Sequence, residues 1–157
     1  ANEFELDSIM EHDPFVVRDS ALVGEAMHEL VNRKVSGMPV VNGEGEPVGF
    51  ISDGDIMRYL ADHHVAISGP YSLMEAANSQ TFDEKLAELI AQPVSRIATE
   101  GVVCIPASAT LQEACTLLSS HKLKKVPVVR NDKIIGMLSR SDVIRSAMDA
   151  ALGGLAE

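Results

Sequence analysis

Apolar residues along the chain fall into short runs separated by stretches of helical spacing, and this alternation occurs twice. The run Phe15-Val16-Val17 predicts a short strand. Beyond Ser20, which suits an N-cap, Leu22, Val23, Ala26, Met27 and Leu30 recur at intervals of three and four. They predict a helix with one buried stripe that ends near Lys34. Pro39-Val40-Val41 and Val48-Gly49-Phe50-Ile51 predict two strands, and the Gly- and Asn-rich turn Asn42 to Pro47 between them reads as a hairpin. Ile56, Met57 and Leu60 then mark the buried side of a second helix. One unit is therefore strand, helix, strand, strand, helix.

The second half repeats this plan. Val103-Cys104-Ile105 reads as the first strand, and Thr110-Leu111-Gln112-Glu113 caps a helix whose apolar side is Leu111, Ala114, Cys115 and Leu118. Val126 to Val129 and Ile134 to Leu138 flank the tight turn Arg130-Asn131-Asp132-Lys133, and Val143, Ile144 and Ala147 follow on the last helix. Matching positions up to the hairpin, such as Pro39 and Pro127 or Ala26 and Ala114, stand 88 apart; beyond it the spacing is 87, as for Asp55 and Asp142. A constant offset broken once, in a turn, is how two copies of a folded unit diverge. The first copy is assigned to residues 1–62, a connector to 63–92, the second copy to 93–150 and a frayed tail to 151–157. In the lead-in to the first copy Phe4, Leu6, Ile9 and Met10 are the apolar residues, and the counterpart segment is Pro93 to Ala98. The connector opens with Asp62-His63-His64 and the breaker Ser68-Gly69-Pro70. It closes with the capping box Thr81-Phe82-Asp83-Glu84, which predicts a linking helix burying Leu86, Leu89 and Ile90.

The chain has 157 residues, 46% of them hydrophobic, so each repeat alone buries little surface and the pair makes one ordinary domain. No apolar run approaches the ~20 residues of a membrane span and no basic-then-apolar leader is present, so a soluble, cytoplasmic protein is expected. The first residue is Ala, which leaves open that the chain is one domain of a larger enzyme or transporter. Cys104 and Cys115 fall in apolar patterns and read as buried free thiols. A net charge of −10 with 4% aromatic residues argues against a nucleic-acid surface. The charge is uneven: seven of the 13 Lys and Arg lie between Lys122 and Arg145, whereas residues 1–57 carry three against 12 acids.

The chemistry concentrates where the third strand of each unit turns into its last helix. Gly49-Phe50-Ile51-Ser52-Asp53-Gly54-Asp55-Ile56 and Gly136-Met137-Leu138-Ser139-Arg140-Ser141-Asp142-Val143 share Gly, two apolar residues, Ser, two variable residues, Asp and an apolar residue. Ser with Asp three places on is a capping box. It is also a way to set a hydroxyl and a carboxylate beside a helix N-terminus, where an anionic group and a sugar diol can both be held. His63 and His64 point apart on a helix, with no third ligand at metal spacing, and read as a solvated pair. No Ser/His/acid, Cys/His or metal constellation marks an enzyme.

A strand-helix-hairpin-helix unit with a Pro-Val-Val strand and a Gly-x-x-Ser-x-x-Asp corner, present twice from about Asp7 to Met148, resembles a tandem pair of cystathionine-β-synthase (CBS) domains, a Bateman module. The resemblance implies an α/β (α+β) fold in which two βαββα repeats pack about a pseudo-twofold axis. It also implies a ligand-sensing regulatory module that needs no cofactor and takes AMP, ADP, ATP or S-adenosylmethionine in clefts between the repeats. It places the ribose-binding acid at Asp55 and Asp142 and the phosphate-side hydroxyl at Ser52 and Ser139. Ser36 and Gly37, and Lys124 and Lys125 in the second copy, fall at positions that line the cleft in some members, although a helix-end bend and a solvated charge pair account for them as well. Val17 and Val103 fall near the base, or are plain core strand. Between the shared Ser and Asp the first corner carries Asp53 and the second Arg140; a guanidinium can fork onto a phosphate that a carboxylate repels, so an anionic nucleotide is expected at Ser139/Asp142. The apolar excess after the corners (Ile56, Met57, Tyr59, Leu60; Val143, Ile144, Ala147, Met148) and the family's habit of pairing through these helices imply a homodimer, acting on a regulated protein the sequence does not name. A ligand-free scaffold for dimerisation or docking, with Ser and Asp serving only as caps, stands as the other reading.

Overall fold

A computed structural model describes residues 5–61, 81–121 and 123–156. Phe4, the His63-His64 pair, the Ser68-Gly69-Pro70 breaker, Lys122 and Glu157 lie outside the described residues. The chain folds into two compact units, each a small mixed sheet covered by helices. One comprises Val16–Gly43 and Val48–Val102; the other comprises the described parts of Ala1–Phe15, Glu44–Pro47 and Val103–Glu157.

In the first of these units the sheet order is β1 (Val17–Arg18), β2 (Gly37–Val41), β3 (Pro47–Ser52), β4 (Thr99–Glu100). β1 runs parallel to β2 with Val17 opposite Val40, and β4 is antiparallel to β3 with Thr99 opposite Phe50. Helices α1 (Val23–Arg33), α2 (Asp53–Ala61), α3 (Phe82–Ile90) and the single turn α4 (Val94–Ile97) cover it. Val23, Ala26 and Leu30 of α1 close the core with Met38, Val40, Ile51, Ile56 and Leu60, joined by Leu89 of α3 and Val94 of α4. α3 is the linking helix expected from its capping box: Glu84 N donates to Thr81 Oγ1 at 3.1 Å. It is clasped to α2 by Tyr59, whose hydroxyl donates to Glu88 Oε2 at 2.7 Å under the Lys85 ammonium.

The other unit carries β5 (Ile105–Pro106), β6 (Lys125–Arg130) and β7 (Lys133–Ser139) with helices α5 (Leu111–Ser120) and α6 (Arg140–Ala156). β6 and β7 form the hairpin with Arg130 opposite Lys133. Its two-residue turn puts Asn131 and Asp132 at φ 52° and 65°, the left-handed pair that fits the twist of the strands and that Asn and Asp tolerate. Leu6, in a 3-10 turn over Leu6–Ser8, and Met10 enter this core beside Ile105, Ala114, Leu118, Val126, Val128, Leu138 and Val143. Arg130 pairs with Glu5 and with Asp7 at 3.1 Å, fastening the lead-in to the hairpin.

The glycine that opens each corner motif is explained by what crosses it. A Cβ on Gly49 would stand 2.6 Å from the Thr99 carbonyl oxygen, and one on Gly136 would stand 2.5 Å from the Glu11 carbonyl oxygen. In each unit a lead-in backbone lies against the third strand at contact distance, so only a residue without a side chain fits.

Several expectations need correction. The first strand begins at Val17, not Phe15, and Val16 is 39% exposed. Ser20 is not the cap of α1: Leu22 holds the N-cap position, half-exposed, and the Val23 amide is satisfied by the Gln92 carbonyl at 2.8 Å. A distant backbone acceptor has replaced the side-chain cap. Met57, Ile90, Ile144 and Ala147 face outward, and Cys115 is exposed. Cys104 is half-buried, and burial raises its thiol pKa. The stretch 153–156 continues α6 instead of fraying.

Candidate ligand-binding site

Both corners are capping boxes, and they differ in what remains open. In the first unit the Ser52 amide donates to Asp55 Oδ2 at 2.9 Å, the Ser52 hydroxyl to the same oxygen at 3.1 Å, and the Asp55 amide to Ser52 Oγ at 3.3 Å. The other carboxylate oxygen accepts the Thr99 hydroxyl at 3.1 Å and the Arg58 guanidinium. Asp55 thus takes four donated hydrogen bonds on two oxygens, and its side chain is 5% exposed. The carboxylate is saturated from within.

In the other unit Ser139 N donates to Asp142 Oδ2 at 2.9 Å and Asp142 N to Ser139 Oγ at 3.0 Å. Asp142 Oδ1 receives only Arg145 among the described residues, at 3.3 Å from a guanidinium that is 65% exposed, and the Asp142 side chain is 16% exposed. At Oδ1 the difference traces to one position. Thr99 reaches Asp55 from β4; the residue at the same repeat position, bridged to Met137 as Thr99 is to Phe50, is Glu11. An ionised carboxyl has no hydrogen to donate, so Asp142 keeps acceptor capacity that Asp55 has lost.

The backbone brings the flanking residues to each corner. Lys125 lies opposite Ser139 in the ladder, and the Lys124 carbonyl accepts the Arg140 amide at 2.9 Å. Both lysines are exposed, and among the described residues no carboxylate pairs with either. The first-unit counterparts are exposed Ser36, whose carbonyl accepts the Asp53 amide at 2.8 Å, and Gly37, buried against the Phe50 ring. Val17 belongs to the core of the first unit, and Val103 packs at the edge of the other unit's core. The Arg140 guanidinium is committed elsewhere. Its Nε donates to the Leu123 carbonyl at 2.5 Å and its Nη2 to the Leu118 carbonyl at 3.1 Å, holding the end of α5. The basic groups beside Ser139 with no such commitment are therefore Lys124 and Lys125. In the first unit a hollow of about 380 Å³ beside Thr99 is lined by Asp19, Ser95 and Glu100, and the carboxylates of Asp19 and Glu100 disfavour an anion.

The motifs do not single out Thr99, Glu11, Arg58 or Arg145. Arg58 and Arg145 stand 87 apart and Glu11 and Thr99 stand 88 apart, so the repeat alignment itself carries the signal. Among the described residues no group of three metal-ligating side chains occurs, and no helix is long and apolar enough to cross a membrane.

The CBS domain family matches residues 6–62 and 94–149. The chain is 33% identical over 140 residues to the chloroplastic CBS domain-containing protein CBSX2 of Arabidopsis thaliana, covering 85% of this chain and 58% of that protein. It is 27% identical to protein MJ1426 of Methanocaldococcus jannaschii, covering 90% of this chain and 89% of the relative. A crystal structure of CBSX2 in complex with AMP superposes with a TM-score of 0.68 at 25% identity, covering 94% of this chain and 98% of that one. The fold also matches the CBS domain pair of protein MJ0100, solved with 5-methylthioadenosine and S-adenosyl-L-methionine, at a TM-score of 0.62 and 18% identity. With both repeats matched across most of its length, the chain belongs to the CBS domain family as a tandem pair, a Bateman module.

Proposed function

We propose that this chain is a non-catalytic regulatory module that binds an adenosine nucleotide at the Ser139/Asp142 corner and reports its level to a partner. The observation that carries the reading is the open oxygen of Asp142, set against the saturated Asp55. A ribose diol donates hydrogen bonds, and Asp142 Oδ1 can accept them by displacing only an exposed Arg145. Lys125 at the start of the adjoining strand and Lys124 just before it supply charge for a phosphate, which makes AMP, ADP or ATP a better fit here than S-adenosylmethionine. The relative CBSX2, crystallised with AMP, supports the ligand class. The exposed apolar residues Met57, Ile144, Met148 and Leu152 support a homodimer. Cys104 and Cys115, neither in a disulfide, fit a cytoplasmic setting.

The scaffold reading draws on the closed capping boxes, which account for Ser and Asp without any ligand. A thermal-shift series with AMP, ADP, ATP and S-adenosylmethionine separates the two. A ligand that binds only the native state raises the melting temperature, by the equivalent of about 2.7 kcal/mol at a hundredfold excess over Kd. The expected result is a rise with adenine nucleotides; a transition that none of the four moves at millimolar concentration favours the scaffold.

A further inference from the structure

The residue that crosses each corner strand has the same backbone placement in both units and opposite chemistry. Glu11 N donates to the Met137 carbonyl at 2.9 Å, and the Met137 amide donates to the Glu11 carbonyl at 3.0 Å. Thr99 holds the matching register opposite Phe50. The carbonyls of both residues lie over the matching glycines, Thr99 over Gly49 and Glu11 over Gly136. In the first unit a side chain at this position reaches the corner acid: Thr99 Oγ1 donates to Asp55 Oδ1 at 3.1 Å. The shared register puts Glu11 at the equivalent position beside Asp142.

A carboxylate there leaves Asp142 Oδ1 unoccupied and adds two acceptor oxygens of its own. Glu11 is exposed, and among the described residues no side chain holds its carboxylate. Two ionised acids side by side repel unless donors or a cation stand between them. The cation the structure supplies is Arg145, exposed and 3.3 Å from Asp142 Oδ1. A vicinal diol offers what the acid pair lacks, two O–H donors on adjacent carbons, one for each carboxylate. The first corner has no such opening, because Thr99 and Arg58 already meet Asp55 Oδ1.

We infer that Glu11 determines sugar specificity at this corner: Asp142 Oδ1 takes one hydroxyl of the ribose, the Glu11 carboxylate takes the other, and the site selects ribonucleotides over deoxyribonucleotides. This rests on nucleotide binding at the Ser139/Asp142 corner and adds the selectivity and the residue that sets it. A site built to accept a hydroxyl rejects the analogue lacking it, because the acceptor is then left without its donor. The added acid leaves the corner net positive, since Lys124, Lys125, Arg140 and Arg145 stand against Glu11 and Asp142.

Calorimetric titrations of AMP, 2′-deoxy-AMP and 3′-deoxy-AMP into the wild-type chain, Glu11→Ala, Glu11→Gln and Glu11→Thr test it. Losing a hydroxyl from a charged acceptor raises Kd about ten- to a hundredfold, so the wild type should bind both analogues that much more weakly than AMP. Glu11→Ala should weaken AMP by a similar factor. It should leave unchanged the analogue that lacks the hydroxyl held by Glu11, a non-additivity that a structural role does not produce. Glu11→Gln, whose amide oxygen still accepts, should recover part of the loss. Glu11→Thr should bind AMP most weakly, because a hydroxyl there can donate to Asp142 Oδ1 as Thr99 donates to Asp55. If Glu11→Ala leaves AMP unchanged, tightens it, or weakens AMP and both analogues by one common factor, the role of Glu11 alone is overturned. A wild-type chain that takes up none of the three at millimolar concentration overturns the nucleotide reading together with it.

Discussion

Alanine at position 142 should raise the Kd for AMP about ten- to a hundredfold while lowering the melting temperature by only a few degrees. The two effects come from different oxygens. Asp142 Oδ2 accepts the Ser139 amide and closes the capping box; losing such a cap costs roughly 1 kcal/mol, about 2–4 °C for a chain of this size. Oδ1 is the oxygen proposed for the ribose diol. Hydrogen bonds to a charged acceptor contribute about 1.5–3 kcal/mol, which converts to the stated loss of affinity. Asp55→Ala makes the control. Its carboxylate is satisfied by Ser52, Thr99 and Arg58, so stability should fall further than for Asp142→Ala while AMP affinity holds. Calorimetric titration beside thermal melts reads both quantities, and an unchanged Kd for Asp142→Ala would return that residue to capping alone.

Leu6→Ala should destabilise the protein by about 2–5 kcal/mol, a drop on the order of 10 °C in melting temperature. Leu6 is fully buried among Ile105, Leu118, Val126 and Leu138, and its amide donates to the Ala107 carbonyl at 2.9 Å. Truncation removes apolar contact and leaves a void under a short turn that has little freedom to collapse. Leu22→Ala is the comparison, since Leu22 is 45% exposed and should lie within about 0.5 kcal/mol of wild type. Equal melting temperatures for the two variants would contradict the assignment of Leu6 to the core.

Periodicity makes much of this fold legible. The helices α1 and α5, the two-residue turn at Asn131 and Asp132, the Thr81 box and the corner box in both repeats are local patterns, and each forms as the sequence predicts. Distant partners decide the rest. Ser20 has the residue type of a cap, but Gln92 supplies the acceptor from far along the chain. Cys115 and Ile144 fit a helical stripe by spacing, yet both are exposed because periodicity gives a face and not its neighbour. Asp55 and Asp142 are the same letter in the same motif. The residue that crosses each strand, Thr99 in one and Glu11 in the other, sets whether Oδ1 receives a second donor beside the arginine. Arg140 points toward phosphate on charge alone, and the fold turns its guanidinium onto two carbonyls.

The most direct measurement is an amide NMR titration of the wild-type chain with AMP. Binding at the Ser139/Asp142 corner requires the backbone signals of Lys124, Lys125, Ser139 and Asp142 to move together with one Kd, while those of Ser52 and Asp55 stay in place. Movement confined to Ser52 and Asp55, or no movement of either corner at millimolar AMP, would contradict it.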